Sequence, residues 1–250
     1  MTGLEPSQSS KQTRVGAVIV GCLAGFLAGE IVATLLIIVG THVTNFHGGL
    51  KALSALANPP WWSNVLGLVG LWVGFGGAIY FARTSGGLVP LKDQWRLRLS
   101  DLWFVVLGVA CQFVVDLGYA PFHFKDLNKP VNHLFGGSRG LTFALVALLT
   151  TVGAPIVEEW FFRGVLFRAL DEGLSRHLAR AGTFTAVIAS ACLFALAHGE
   201  PLQFVGLAFL GVVLAVLVKR TNRLTPSIIT HVSFNSVAMV TLLAQRASHR

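Results

Sequence analysis

Long apolar runs separated by short polar segments dominate the sequence. The runs are continuous, without the alternation of a half-buried strand, and most are long enough to cross a bilayer as an α-helix. They cover residues 15–43, 62–82, 102–120, 141–167, 181–197, 201–218 and 224–244. The pattern predicts an all-α, polytopic membrane protein with about seven transmembrane helices. Because the fifth and sixth runs are short and only three residues apart, six to eight helices fit the pattern.

The composition agrees with this interpretation. Only 12% of the 250 residues are charged and 54% are hydrophobic, whereas soluble domains carry about 25% charged residues. A soluble globule is therefore excluded. The net charge of +8 comes without a basic helix or a basic patch interleaved with aromatic residues, so the expected partner is the lipid bilayer and not a nucleic acid.

Lysine and arginine residues predict the orientation. If the N-terminus is cytoplasmic and the chain crosses seven times, twelve of them fall on the inner side and six on the outer side. Cytoplasmic loops are enriched in these residues. We therefore expect a multi-pass protein of the cell membrane with a cytoplasmic N-terminus. The sequence does not define its oligomeric state.

A glycine repeat marks the first run. Gly21, Gly25 and Gly29 are spaced four residues apart, which places them on one helix face and lets another helix approach closely. We interpret this face as a packing surface within the chain, in preference to a dimer interface.

Ionisable residues inside apolar runs are costly, at about 2.5 kcal/mol or more at the bilayer centre, and they point to function. Glu30 and Asp116 are isolated, and the sequence assigns them no role. The other three lie together, as Glu158, Glu159 and Arg163. Glu159 and Arg163 are four residues apart and can pair on one helix face. Glu158 is rotated by about 100°, lacks that partner and is a candidate general base.

Pro155, just before the carboxylates, is expected to kink the helix and to free a backbone carbonyl near the site. Two later runs add further polar groups. Phe194 and His198 are four residues apart, as are His231 and Asn235, so each pair can share a helix face.

In order, these three groups of residues resemble the motifs of the CAAX protease and bacteriocin-processing family, also called the CPBP or Abi family. Its eukaryotic member is the Ras-converting CAAX endopeptidase. Each motif is weak alone, but all three occur in the correct order on separate apolar runs. The resemblance covers about residues 141–245. It predicts a catalytic helical core at 141–250, preceded at 1–140 by transmembrane helices without a motif.

The resemblance implies an intramembrane endopeptidase that cleaves a membrane-associated protein or peptide. By resemblance, Glu158 activates water with the help of His198, while His231 and Asn235 bind the oxyanion or complete the polar cluster. Glu159, Arg163 and Phe194 are implied as supporting residues. The residues leave the cofactor open: either none is used, or zinc is held by Glu158, His198 and His231 with water as the fourth ligand.

Two other functions remain open at this point. One is a non-catalytic immunity or scaffold protein of the same fold, which the resemblance fits equally well. The other is a proton-coupled transporter that uses Glu30, Asp116 and the histidines as a relay. Helix depth also raises a question, because His198 lies about 22 Å from Thr183 at 1.5 Å per residue. That position is further out than a cytoplasmic-side cavity requires.

Overall fold

Helices account for nearly all of the regular structure. The computed structural model describes residues 8–85, 88, 94–124, 126–127 and 129–248, without the side chains of 8–13 and 247. Within these ranges no strand is formed, so the predicted all-α class is confirmed. The α-helices are α1 Gln8–Val43, α2 Gly49–Ser54, α3 Trp61–Thr84, α4 Trp103–Tyr119, α5 Lys129–Gly136, α6 Gly140–Leu148, α7 Ala154–Glu158, α8 Arg168–Ala197, α9 Phe204–Thr221 and α10 Thr225–Ser248.

Shorter elements extend several of these helices. Two π-helical segments, Leu149–Gly153 and Glu159–Phe167, flank α7 and join α6 to α8 without interruption. Three 3₁₀ turns occupy Leu99–Leu102, Ala120–Phe122 and Pro201–Gln203.

Six helical stretches among the described residues are long and apolar enough to cross a membrane. They are Arg14–Val43, Trp61–Thr84, Leu99–Phe122, Gly140–Ala197, Pro201–Thr221 and Thr225–Arg246. The fourth has 58 residues and contains both the fourth and the fifth predicted runs. At about 1.5 Å per residue it is far longer than one crossing of a bilayer core of about 30 Å needs.

The chain reverses direction inside this long stretch. Ala179 has a non-helical backbone with φ of 47° and ψ of −124°. Beyond it, the hydroxyl of Thr183 donates to Asp171 Oδ1 at 2.7 Å, although twelve residues separate the two. Phe167 likewise packs in one cluster with Val187. The two halves are therefore antiparallel, and the fourth and fifth predicted runs lie in separate helical segments.

The glycine face of α1 packs on α3. A Cβ atom added at Gly25 would lie 2.6 Å from the Cβ of Ala78, and one added at Gly74 would lie 2.3 Å from the carbonyl oxygen of Gly25. Gly29 similarly meets the backbone of Leu71. The predicted packing within the chain is confirmed, and small residues are what allow these two backbones to approach.

A buried ion pair joins the start of the third span to the start of the sixth. Arg223 donates to both oxygens of Asp101, at 2.7 and 2.8 Å, and both residues are buried. This bidentate geometry is the strong form of the pair. Sequence analysis counted Arg223 only as an inner-side charge and missed its partner. Lys92, Lys125 and Arg250, which also entered that count, lie outside the described residues.

Candidate active site

The two predicted carboxylates lie where an α-helical turn meets a π-helical segment. Glu158 ends α7 and Glu159 begins the nine-residue π segment. A π segment inserts extra residues into a helix, is rare, and often occurs at functional sites. The aromatic residues that follow anchor this segment in the core, since Phe161 stacks on Phe75 with centroids 4.1 Å apart.

Pro155 frees a carbonyl, as predicted. In the π segment before α7, the N–H of Ala154 donates to the carbonyl of Leu149, five residues earlier. The next such bond would run from residue 155 to Thr150, but proline has no N–H. The side-chain amide of Asn235 donates to the Thr150 carbonyl instead, at 3.3 Å. Pro155 therefore helps to hold Asn235 against the helix that carries Glu158.

Glu159 forms the buried centre of the site. Its Oε1 accepts from Arg163 Nη1 at 2.7 Å and lies 3.1 Å from His231 Nδ1. Glu159 and Arg163 are fully buried, and His231 is 2% exposed. Arg163 also donates to the carbonyl of Gly211, and its guanidinium lies 4.2 Å from the ring centroid of Phe194. The predicted i,i+4 pair is confirmed, and it also orients His231.

Glu158 is placed differently from Glu159. Its side chain is 17% exposed, and Oε2 lies 3.8 Å from His231 Nε2. A carboxylate paired with arginine can only accept hydrogen bonds, so His231 Nδ1 donates to Glu159. Nε2 then carries a lone pair that faces Glu158. The distance is too long for a direct hydrogen bond, and a water molecule can bridge the two groups.

His198 lies at the C-terminal end of α8. Its Nδ1 is 2.8 Å from the carbonyl of Phe194, which fixes Nδ1 as the donor and leaves Nε2 as an acceptor. The Phe194 ring contacts His198 and His231 edge-on, with centroid distances of 4.6 and 5.5 Å. Phe194 is fully buried and sets the orientation of both rings.

One cavity of about 470 Å³ brings the four predicted catalytic residues together. Glu158, His198, His231 and Asn235 all line it, whereas Glu159, Arg163 and Phe194 lie behind its wall. The distance of His198 from Thr183 along the helix therefore does not keep it from the cavity. Its helix starts from the reversal at Ala179 and packs antiparallel to the preceding one, so distance along the helix from Thr183 was a poor guide to its position.

Sequence analysis missed a second set of polar residues on the same cavity. The set consists of Gln112, Asp116, Tyr119, His133, Glu200 and Gln203. Asp116 was noted as an ionisable residue in an apolar run, but nothing in the sequence connected it to the three motifs. Helices before residue 140 thus contribute to the cavity that the motifs line.

The predicted zinc ligands do not form a metal site. In the part of the chain that the structure describes, no group of three or more His, Cys, Asp or Glu side chains is arranged to hold a metal ion. As placed here, the three side chains do not hold zinc.

The fold and the cavity define a polytopic helical membrane protein with a carboxylate, two histidines and an amide at one buried site. Residues 140–237 match the family model described as type II CAAX prenyl endopeptidase Rce1-like. This match contains every motif residue and confirms the family resemblance. No curated protein and no solved structure shows a significant match to the chain.

Proposed function

We propose that this protein is an intramembrane endopeptidase that hydrolyses a peptide bond in a membrane-associated protein or peptide. One observation carries the proposal. Glu158, the cavity-facing carboxylate of the pair, faces the free ring nitrogen of His231 within a segment that matches a family of endopeptidases. Glu159 is held by Arg163 and is not available to a substrate.

The residues suit general-base hydrolysis. Glu158 would take a proton from a water molecule that also hydrogen-bonds to His231 Nε2, while the water oxygen attacks the scissile carbonyl carbon. The C–N bond then breaks, and the leaving nitrogen receives a proton. The hydrogen bond from Nδ1 to the Phe194 carbonyl fixes the tautomer of His198. Its Nε2 is therefore suited to relay that proton.

The oxyanion requires donors that are already in place. One N–H of the Asn235 amide binds the Thr150 carbonyl, and the second is free to donate to an oxyanion. His231 becomes a second donor when the proton that Glu158 takes from water passes to Nε2. The buried carboxylate of Glu159 would stabilise this imidazolium, until the proton moves on through His198 to the leaving nitrogen. The hydrogen-bond partners of these side chains support the proposed roles.

Glu158→Gln tests the base directly. The substitution preserves shape but removes the proton acceptor, so we expect cleavage to fall by a factor of about 100 or more. Cleavage of membrane-anchored peptides is to be measured in detergent, with a check of folding by gel filtration. Glu172→Gln is the matched control, because Glu172 pairs with Arg176 and does not line the cavity. Equal activity of Glu158→Gln and wild type would refute the assignment.

The ligand geometry also predicts the response to chelators. We expect activity to persist after dialysis against a metal chelator, since the site residues are not arranged to hold zinc. The measurement is the rate of peptide cleavage before and after dialysis, with metal content determined on the same sample. Loss of activity that added zinc restores would contradict this expectation.

The two alternatives differ in what the site must do. A scaffold would bind peptides without cleaving them, and Glu158→Gln would leave its binding intact. A proton-coupled transporter would need a relay from Glu30, which lies on the exposed side of α1 and is not among the residues that line the cavity. The position of Glu30 therefore favours the peptidase.

A further inference from the structure

The cavity is acidic although the chain as a whole is basic. What this implies about the class of substrate rests on the proposed function. The chain has 19 Lys and Arg residues against 11 Asp and Glu, a net charge of +8. Nevertheless, three of the acidic residues, Glu158, Asp116 and Glu200, line the cavity, and none of its described lining residues is Lys or Arg. The cavity is therefore a negatively charged site in a positively charged protein.

Asp116 is held in place but not neutralised. Gln112 donates to its Oδ1 at 2.8 Å from the preceding turn of α4. No hydrogen bond to Oδ2 and no cation within ion-pair distance occurs among the described residues. A carboxylate in a membrane-spanning helix is expensive unless it is paired or serves a water-filled site. The neutral amide fixes its geometry and leaves the charge for another partner.

Glu200 is the third carboxylate, and it lies close to the catalytic machinery in sequence. It follows His198 by two residues and precedes the 3₁₀ turn Pro201–Gln203, where the N–H of Gln203 donates to its backbone carbonyl. The side chain of Gln203 in turn donates to the Leu127 carbonyl at 2.9 Å. Tyr119 makes a further contact in the same cavity wall, because its hydroxyl accepts a hydrogen bond from the N–H of Gly206 at 3.0 Å.

We propose that Asp116 and Glu200 determine specificity, by selecting substrates that carry a lysine or arginine side chain next to the scissile bond. The cavity offers Glu158 for the reacting water and two further carboxylates for the substrate. Asp116 is exposed and Glu200 is half-buried, so solvent screens their attraction for a cationic side chain. We therefore expect an effect of no more than about tenfold on kcat/KM. An acidic residue at the same position is repelled.

The test uses one series of membrane-anchored peptides that differ at a single residue. Lysine, glutamine or glutamate is placed in turn at each position flanking the cleavage site, and both termini are blocked so that only the side chain carries the charge. Wild type, Asp116→Asn, Asp116→Lys and Glu200→Gln are compared, with Glu172→Gln as control. Binding to a Glu158→Gln background is measured in parallel by fluorescence anisotropy, so selectivity is measured without cleavage.

We expect wild type and Glu172→Gln to prefer lysine over glutamate by about tenfold at one or more positions. Asp116→Asn should remove much of that preference, and Asp116→Lys should reverse it in both cleavage and binding. Equal kcat/KM and equal binding across the series would overturn the specificity proposal while leaving the peptidase intact. Selective binding without cleavage by wild type would overturn the peptidase and leave the acidic wall as a binding site.

Discussion

At the scale of single residues, Oε1 of Glu159 organises the site. It accepts from Arg163 at 2.7 Å and from His231 at 3.1 Å, while Oε2 of Glu159 and Nε of Arg163 have no partner among the described residues. Sequence spacing predicted the pair with Arg163, because residues four apart share a helix face. It could not predict the bond to His231, which is 72 residues away, because no local signal encodes it.

Glu159→Gln should lower the stability of the protein as well as its activity. It leaves the buried guanidinium of Arg163 without a carboxylate, and removing one partner of a buried pair costs about 3–5 kcal/mol. We expect a clearly lower thermal unfolding temperature in detergent. The double variant Glu159→Gln with Arg163→Met should recover part of this loss, because no charge is left unpaired. An unfolding temperature equal to wild type for Glu159→Gln would contradict this account.

At the scale of elements, the sequence predicts which segments are helical but not whether a given turn is α-helical or π-helical. The apolar runs correspond to membrane-spanning helices, but hydropathy does not distinguish an α-helical turn from the π segment Glu159–Phe167. The polar segment between residues 167 and 181 predicts a break but not its exact position, since the reversal falls on Ala179 and not on a glycine or proline. A non-glycine residue with φ of 47° is uncommon and has no signature in the sequence.

The contact between α1 and α3 makes a matched pair of predictions on one helix. A Cβ at Gly74 would lie 2.3 Å from the carbonyl oxygen of Gly25, whereas a Cβ at Gly76 meets nothing within 4 Å. We expect Gly74→Ala to destabilise the protein by about 1–3 kcal/mol through overpacking. Gly76→Ala should be neutral or slightly stabilising. Thermal unfolding in detergent distinguishes them, and equal unfolding temperatures would contradict the described helix contact.

At the scale of the whole molecule, the reversal at Ala179 determines the number of crossings. Six stretches of the described residues qualify by length and composition, and the antiparallel halves of the fourth one agree with the seven crossings that the apolar runs predict. The hydropathy pattern separates the fourth and fifth runs because a polar segment lies between them. The cavity itself could not be predicted, because it depends on how α4, α5 and α10 pack around the motif helices.

The seven crossings predicted from the apolar runs would place the two termini on opposite sides of the membrane. The distribution of Lys and Arg predicts a cytoplasmic N-terminus. At the C-terminus, a reporter that works only outside the cytoplasm should therefore be active, and one that works only inside it should not. Paired fusions of a periplasmic enzyme and a cytoplasmic fluorescent protein at each terminus make the measurement. Both termini on the same side would show that the stretch Gly140–Ala197 does not cross twice.

The most direct test of the central claim follows the oxygen atom of the water that Glu158 is proposed to activate. Purified protein is incubated with a membrane-anchored peptide in ¹⁸O-labelled water, and the products are analysed by mass spectrometry. We predict that wild type incorporates label into the newly formed carboxyl terminus, and that Glu158→Gln forms almost no labelled product. Labelled product formed equally well by Glu158→Gln, or intact peptide after incubation with wild type, would contradict the account.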